Sequence, residues 1–129
     1  MTHCLALCLL LLVACKDATT PDQDVTGHWT GTWFTTSPAG PDEPWDATLT
    51  QTGTAVSGTL NCSSLETYTL TGVNVHNNLT FTLIGALGDT AIWNGRAGNN
   101  AGVVGLGTFS DNDGAGCFSG IGNWQGRIQ

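Results

Sequence analysis

From Gly27 to the end of the chain, apolar side chains recur at every second position in short runs separated by turn residues. Strand is the only regular structure with a side-chain period of two. The alternation is plainest in Leu79-Thr80-Phe81-Thr82-Leu83 and in Trp45-Asp46-Ala47-Thr48-Leu49-Thr50. It predicts eight strands, at roughly 28–35, 45–52, 54–61, 66–72, 78–84, 89–97, 101–109 and 117–128. One face of these strands carries Trp29, Trp33, Leu49, Val56, Leu60, Leu70, Phe81, Trp93, Leu106 and Trp124; the other is mostly Thr, Ser, Asn and Gln. With 20 Thr, 18 Gly and only 10% charged residues, the chain lacks the helix formers of a bundle.

Eight consecutive strands joined by turns predict an all-β fold, a small antiparallel up-and-down barrel, with a two-sheet sandwich as the competing architecture. Glycines within strands, such as Gly105, Gly107, Gly120 and Gly122, provide the bends that closure requires. The outward face is hydroxyl and amide where lipid would require apolar groups, which argues against a transmembrane barrel. The 129 residues leave room for one such domain, at 27–129.

Residues 5–14 form an unbroken apolar run, too short to span a bilayer but right for the core of a secretory signal. The run ends Leu12-Val13-Ala14-Cys15, which resembles the lipobox of bacterial lipoproteins, although the start of the chain offers only His3 in place of Lys or Arg. That resemblance implies a signal peptide at 1–14, cleavage before Cys15 and lipid attachment on Cys15, so that the partner at this end is a membrane. Lys16 in place of Asp implies, by the same resemblance, an outer-membrane lipoprotein of the cell envelope. Residues 15–26 are polar and read as a flexible tether.

Cys4 and Cys8 leave with such a signal and Cys15 takes the lipid, so Cys62 and Cys117 remain as an even pair in an oxidising compartment. They are expected to form a disulfide, which would stabilise the fold by roughly 4 kcal/mol through loop closure. Two Cys without a matching His pair lack zinc spacing, and no metal or other cofactor is expected.

Gly27-His28-Trp29 is similar to the Gly-x-Trp of lipocalins. Gly31-Thr32-Trp33, the hairpin 47–61 and Tyr68-Thr69-Leu70-Thr71-Gly72 resemble avidin strands in order and spacing. The domain thus resembles the calycin barrels. That likeness implies a barrel base at which Arg127 packs over Trp29 with Trp124 nearby, and an open end where Trp33, Trp45 and Trp93 bind a small apolar ligand under residues 36–44. Thr35, Leu60 and Cys62 stand where the avidin pattern has polar biotin contacts, so biotin binding does not carry over. Plain core packing is the other reading of Trp29, Trp93 and Trp124.

Alternating strand direction sorts the connections to two ends. The end where the first strand starts has the tight turns at 52–53, 75–78 and 98–100; the opposite end has the longer connections and both Cys62 and Cys117. An acidic rim of Asp42, Glu43, Asp46, Glu66, Asp89, Asp111 and Asp113 falls at or beside that opposite end, and Arg96, Arg127, His28 and His76 fall toward the first. The net charge of -7 argues against nucleic acid as a partner. Acids in solvated loops need no other explanation than solubility, but a one-sided acidic end also suits a cationic protein partner.

No nucleophile motif, no metal spacing and no His-Glu-x-x-His occurs, and Asp111-Asn112-Asp113-Gly114 lacks the terminal Glu of a calcium loop. The expectation is a non-enzymatic protein in one of two classes. The first is a barrel holding a small apolar ligand, which needs a void of several hundred Å3. The alternative is a protein-binding module with a filled interior, such as an inhibitor of a basic envelope enzyme of the lysozyme type. A third class, an enzyme using rim carboxylates, predicts a close carboxyl pair with raised pKa.

Overall fold

The computed structural model describes residues 22–62, 66–98, 104–111 and 116–129. The predicted signal peptide, Cys15, most of the tether, the turn at 99–100 and Asp113 lie outside the described residues. Eight strands, β1(Gly27–Ser37), β2(Glu43–Thr52), β3(Ala55–Cys62), β4(Glu66–Val75), β5(Asn78–Gly85), β6(Thr90–Gly98), β7(Val104–Asp111) and β8(Ile121–Ile128), follow one another around a closed antiparallel barrel. β8 returns to pair with β1, so no sheet edge is left open. The sandwich alternative is thereby excluded.

The outer wall is set by hydroxyl-bearing residues in register. Thr48 faces Thr59, which faces Thr69 on the next strand. β-branched Thr keeps the strand conformation while leaving the wall wettable. Below, His76 (φ 51) and Asn77 (φ 66) make the two-residue turn from β4 to β5, both in the left-handed region that such a hairpin demands.

The inside is organised by pairing large against small. A row of inward positions runs across four neighbouring strands as Ala97, Gly105, Gly126 and Gly31, ending at Trp45. The small residues make room for indole rings. A Cβ on Gly126 would overlap the Trp45 ring, and one on Gly105 would lie 2.9 Å from the Trp124 ring. Trp93 stacks on Trp124 with centroids 4.9 Å apart, and Trp45 meets Trp93 edge-on at 5.2 Å. All five Trp are buried. The void remaining among them is about 10 Å3, hardly one water, and its walls are apolar.

One residue assigned to the inner face lies outside. Leu106 is 63% exposed, because the inward positions of β7 are Gly105, Gly107 and Phe109, which put Leu106 on the opposite pleat. The apolar pattern misleads here since glycine carries no side chain to mark the buried face.

Both ends are stoppered. At the base, residues 22–26 do not behave as the tether expected of them. Val25 is fully buried, its N–H donates to Gln51 Oε1 (3.1 Å), and its carbonyl accepts the indole N–H of Trp29 (2.9 Å). Buried Asn74 donates to the Gln23 carbonyl (2.7 Å), and the Thr26 hydroxyl accepts from the Gln51 N–H. Residues 22–26 therefore belong to the fold. Arg127 is exposed on the outer face of β8 and does not cover Trp29; Val25 and Ile128 close that end instead. At the top, Phe118 fills the mouth.

Because the small inward positions are occupied by neighbouring rings, Gly126→Ala is expected to destabilise the barrel by about 1–3 kcal/mol. Thr71→Ala, on the outer wall, stays within about 0.5 kcal/mol of the parent. Urea unfolding followed by Trp fluorescence measures both.

Candidate functional site

The interior and the top rim are the two places at which sequence patterning puts a site. Of the interior residues Trp33, Trp45 and Trp93, Trp45 meets Trp93 directly, and Trp33 is joined to Trp93 through Phe118. Trp33 packs on Phe109 and Phe118 at 5.7 and 5.1 Å, and Trp93 meets Phe118 edge-on at 5.1 Å. Tyr68 completes the ring around Phe118 at 5.2 Å. Phe118 thus occupies the mouth in which a ligand would lie. It is carried on the short connection before β8, between Gly116 and Gly120, both at positive φ.

The Trp33, Trp93 and Trp124 indole N–H groups are buried without a hydrogen-bond acceptor. Such groups cost stability when removed from water, and the dense aromatic packing around them offsets that cost.

Cys62, at the top of β3, is disulfide-bonded to Cys117, with Cα atoms 6.4 Å apart. Equal strand parity brings them to the same end, as expected. The bond fixes the chain one residue before Phe118.

The acidic residues do not form one rim. Asp42 is exposed at the top, and Glu43 and Asp111 are half-exposed where β2 starts and β7 ends. Asp46 lies on the outer wall, accepting from Asn61 Nδ2 (3.1 Å) and 3.7 Å from His28 Nε2. The stagger of β1 against β2 sets Thr30 opposite Asp46, which draws a residue from near the base up beside an acid assigned to the rim.

Glu66 and Asp89 turn inward and meet at Tyr68. The Tyr68 hydroxyl donates to Asp89 Oδ2 at 2.6 Å, lies 2.9 Å from Glu66 Oε2, and accepts the Cys117 N–H at 3.0 Å. Asp89 is 6% exposed. Burial pushes the Glu66 carboxyl above its usual range, and the neighbouring Asp89 carboxyl adds to that. Burial also pushes Asp89 upward, but the hydrogen bond from Tyr68 outweighs it and holds Asp89 below the ordinary value. Burial, then the bond to Asp89, drives the Tyr68 phenol far up. Gly85 and Gly116 make the cluster possible: a Cβ at either would collide with Asp89. A close carboxyl pair with one raised member is what an acid-base site has; here both carboxyls contact the Tyr68 phenol, and Glu66 also lines an open notch.

Outside the cluster, an open notch of about 590 Å3 runs between Glu66, Thr67, Ala86, Leu87, Gly116 and Cys117. Leu87 stands 94% exposed beside it. Among the described residues, no three metal-ligating side chains gather at one point.

Sequence reading missed Tyr68, Phe118, Val25 and Asn74 as structural organisers. Phe118 was open to recognition, since an aromatic residue directly after a disulfide-bonded Cys is carried wherever that bond goes. Val25 sits in a polar stretch and gives no such signal.

No family model matches this chain, and no curated protein or solved structure does either.

Tyr68→Phe leaves Asp89 and the Cys117 N–H without their shared partner. The expected cost is about 1–3 kcal/mol. A carboxyl held below its ordinary value contributes stability above that value and loses it as pH falls. The penalty of Tyr68→Phe therefore shrinks as pH falls below about 3.8, the unperturbed aspartate value. Denaturant titrations of both proteins at pH 7 and pH 3 measure it.

Proposed function

We propose that this protein is a lipid-anchored envelope protein whose barrel serves as a rigid scaffold for binding a cationic protein at its acidic top. The observation that carries this reading is the filled interior. A barrel that holds a small apolar molecule needs a void of several hundred Å3, against about 10 Å3 inside this one. With Val25 below and Phe118 above, recognition belongs to the outer surface.

Two features of the top end support a protein partner. Asp42, Glu43 and Asp111 provide a negative field there, while the described arginines, Arg96 and Arg127, lie at the ends of β6 and β8 nearest the base. Such a field steers a basic partner and raises its association rate. Leu87 gives the same end a solvent-exposed apolar anchor, beside a notch into which a partner side chain fits. An apolar centre within a polar rim is the usual anatomy of a protein interface. An inhibitor of a basic envelope enzyme, of the lysozyme type, has this chemistry.

The test is binding of the disulfide-intact domain to lysozyme, and to a neutral protein of similar size as control, by calorimetry. Lysozyme binding is expected to weaken by at least about tenfold between 50 and 300 mM salt, as for a contact governed by screened charges. Asp42→Asn with Glu43→Gln and Leu87→Ser should each weaken it. Equal affinity for the neutral control, or indifference to those substitutions, overturns the reading.

The anchor is tested separately. Cys15→Ser expressed in a bacterial host is expected to abolish incorporation of labelled fatty acid and release the protein from the membrane fraction. Unchanged labelling refutes lipid attachment at Cys15.

A further inference from the structure

The Tyr68 hydroxyl has one proton and two carboxyl neighbours. It gives that proton to Asp89 Oδ2, the nearer at 2.6 Å, and its oxygen accepts from the Cys117 N–H. Glu66 Oε2, 2.9 Å from the same oxygen, then makes an attractive contact only by bringing a proton of its own. The remaining oxygens, Glu66 Oε1 and Asp89 Oδ1, have no hydrogen-bond donor and converge over Gly85. Two ionised carboxylates in that position repel each other, with both facing oxygens shielded from solvent. The closed geometry therefore counts one proton more than two free carboxylates and a phenol would hold at neutral pH.

What this proton holds is the connection in front of β8. The Cys117 N–H is bonded to Tyr68 at the centre of the cluster, and Phe118, next in sequence, closes the mouth against Trp33, Trp93, Tyr68 and Phe109. Gly116 (φ 78) and Gly120 (φ 95) flank the segment and give it a pivot at each end. The disulfide to Cys62 keeps the segment attached whatever happens to the hydrogen bonds.

We propose that residues 116–120 form a strap locked shut by a single proton held among Glu66, Tyr68 and Asp89, and that loss of this proton releases the Cys117 amide and lifts Phe118 from the top of the barrel. The groups that face Glu66 are Tyr68 on its own strand, Asp89 from the connection between β5 and β6, and the Cys117 amide of the strap. No described arginine or histidine stands against it to compensate a second negative charge. The sign follows from the direction of the shift. A carboxyl raised by folding favours the closed state below its ordinary value and ceases to do so as pH climbs through the raised one. The strap is thus shut in acid and loosens toward alkaline pH, opposite to the usual effect of ionising surface carboxylates. The lock lies on the floor of the notch at the acidic end, so opening reshapes the surface at which a partner would dock.

Hydrogen exchange of the Cys117 amide in the full, disulfide-intact protein reads the lock directly, because a local opening exposes that amide. After correction for intrinsic base catalysis, exchange is expected to accelerate by at least about tenfold across the Glu66 titration. Glu66→Gln, which carries donor N–H groups at every pH, is expected to remove this pH dependence and keep the strap shut. A second readout is independent of that variant. The side-chain carboxyl carbon of Glu66, followed by NMR in the unmodified protein, should titrate above the ordinary glutamate value near 4.5. An ordinary Glu66 titration, or the same Cys117 exchange profile in the parent and Glu66→Gln, overturns the proposal.

Discussion

Closing eight strands into a cylinder leaves an interior of fixed width, and this chain fills it with indole rings. Everything else adjusts to that choice. Five Trp side chains cannot share such a space with ordinary inward neighbours, and so glycine stands at the positions over which the rings lie. Gly31 and Gly126 leave room for Trp45, and Gly95 and Gly105 leave room for Trp124. Interiors are packed as densely as organic crystals, and here the density is reached by alternating the largest side chain with none. The consequence for function is direct. The rings leave a void of about 10 Å3, and the proposal that recognition belongs to the outer surface rests on that.

Much of this was legible in the residues. The alternation of Leu79-Thr80-Phe81-Thr82-Leu83 fixes a strand, its register and its buried face at once, and eight such segments count out a meander. Equal parity put Cys62 and Cys117 at one end before any geometry was known. The failures have physical reasons. Leu106 misleads because its inward neighbours are glycines, which leave the buried face unmarked. Arg127 misleads because the indole it was expected to cover is already capped by Val25. The likeness to lipocalins and avidins rests on motifs too short to specify what covers a Trp.

The acidic end shows the same boundary between what a pattern carries and what only geometry carries. Sequence parity assigns the acids to an end, but cannot say which point outward or that Asp46 lies along the outer wall beside His28. Asp42 remains in solvent, whereas Glu66 and Asp89 turn beneath Gly116 toward a phenol. Their chemistry depends on Tyr68, which the sequence reading placed only within a segment resembling an avidin strand. A tyrosine buried to its ring with its hydroxyl at the surface layer is the side chain best suited to join an apolar core to a polar cap.

The segment 22–26 has a geometric consequence for a chain anchored at Cys15. Since Gln23 and Val25 are already bonded into the base, the chain between Cys15 and the first described residue, Asp22, is seven residue steps and spans at most about 25 Å. That is shorter than the stand-off a dozen free residues would allow. With the proposed anchor on Cys15, the Val25 end is held within that distance of the lipid, and the end carrying Leu87 faces away from it.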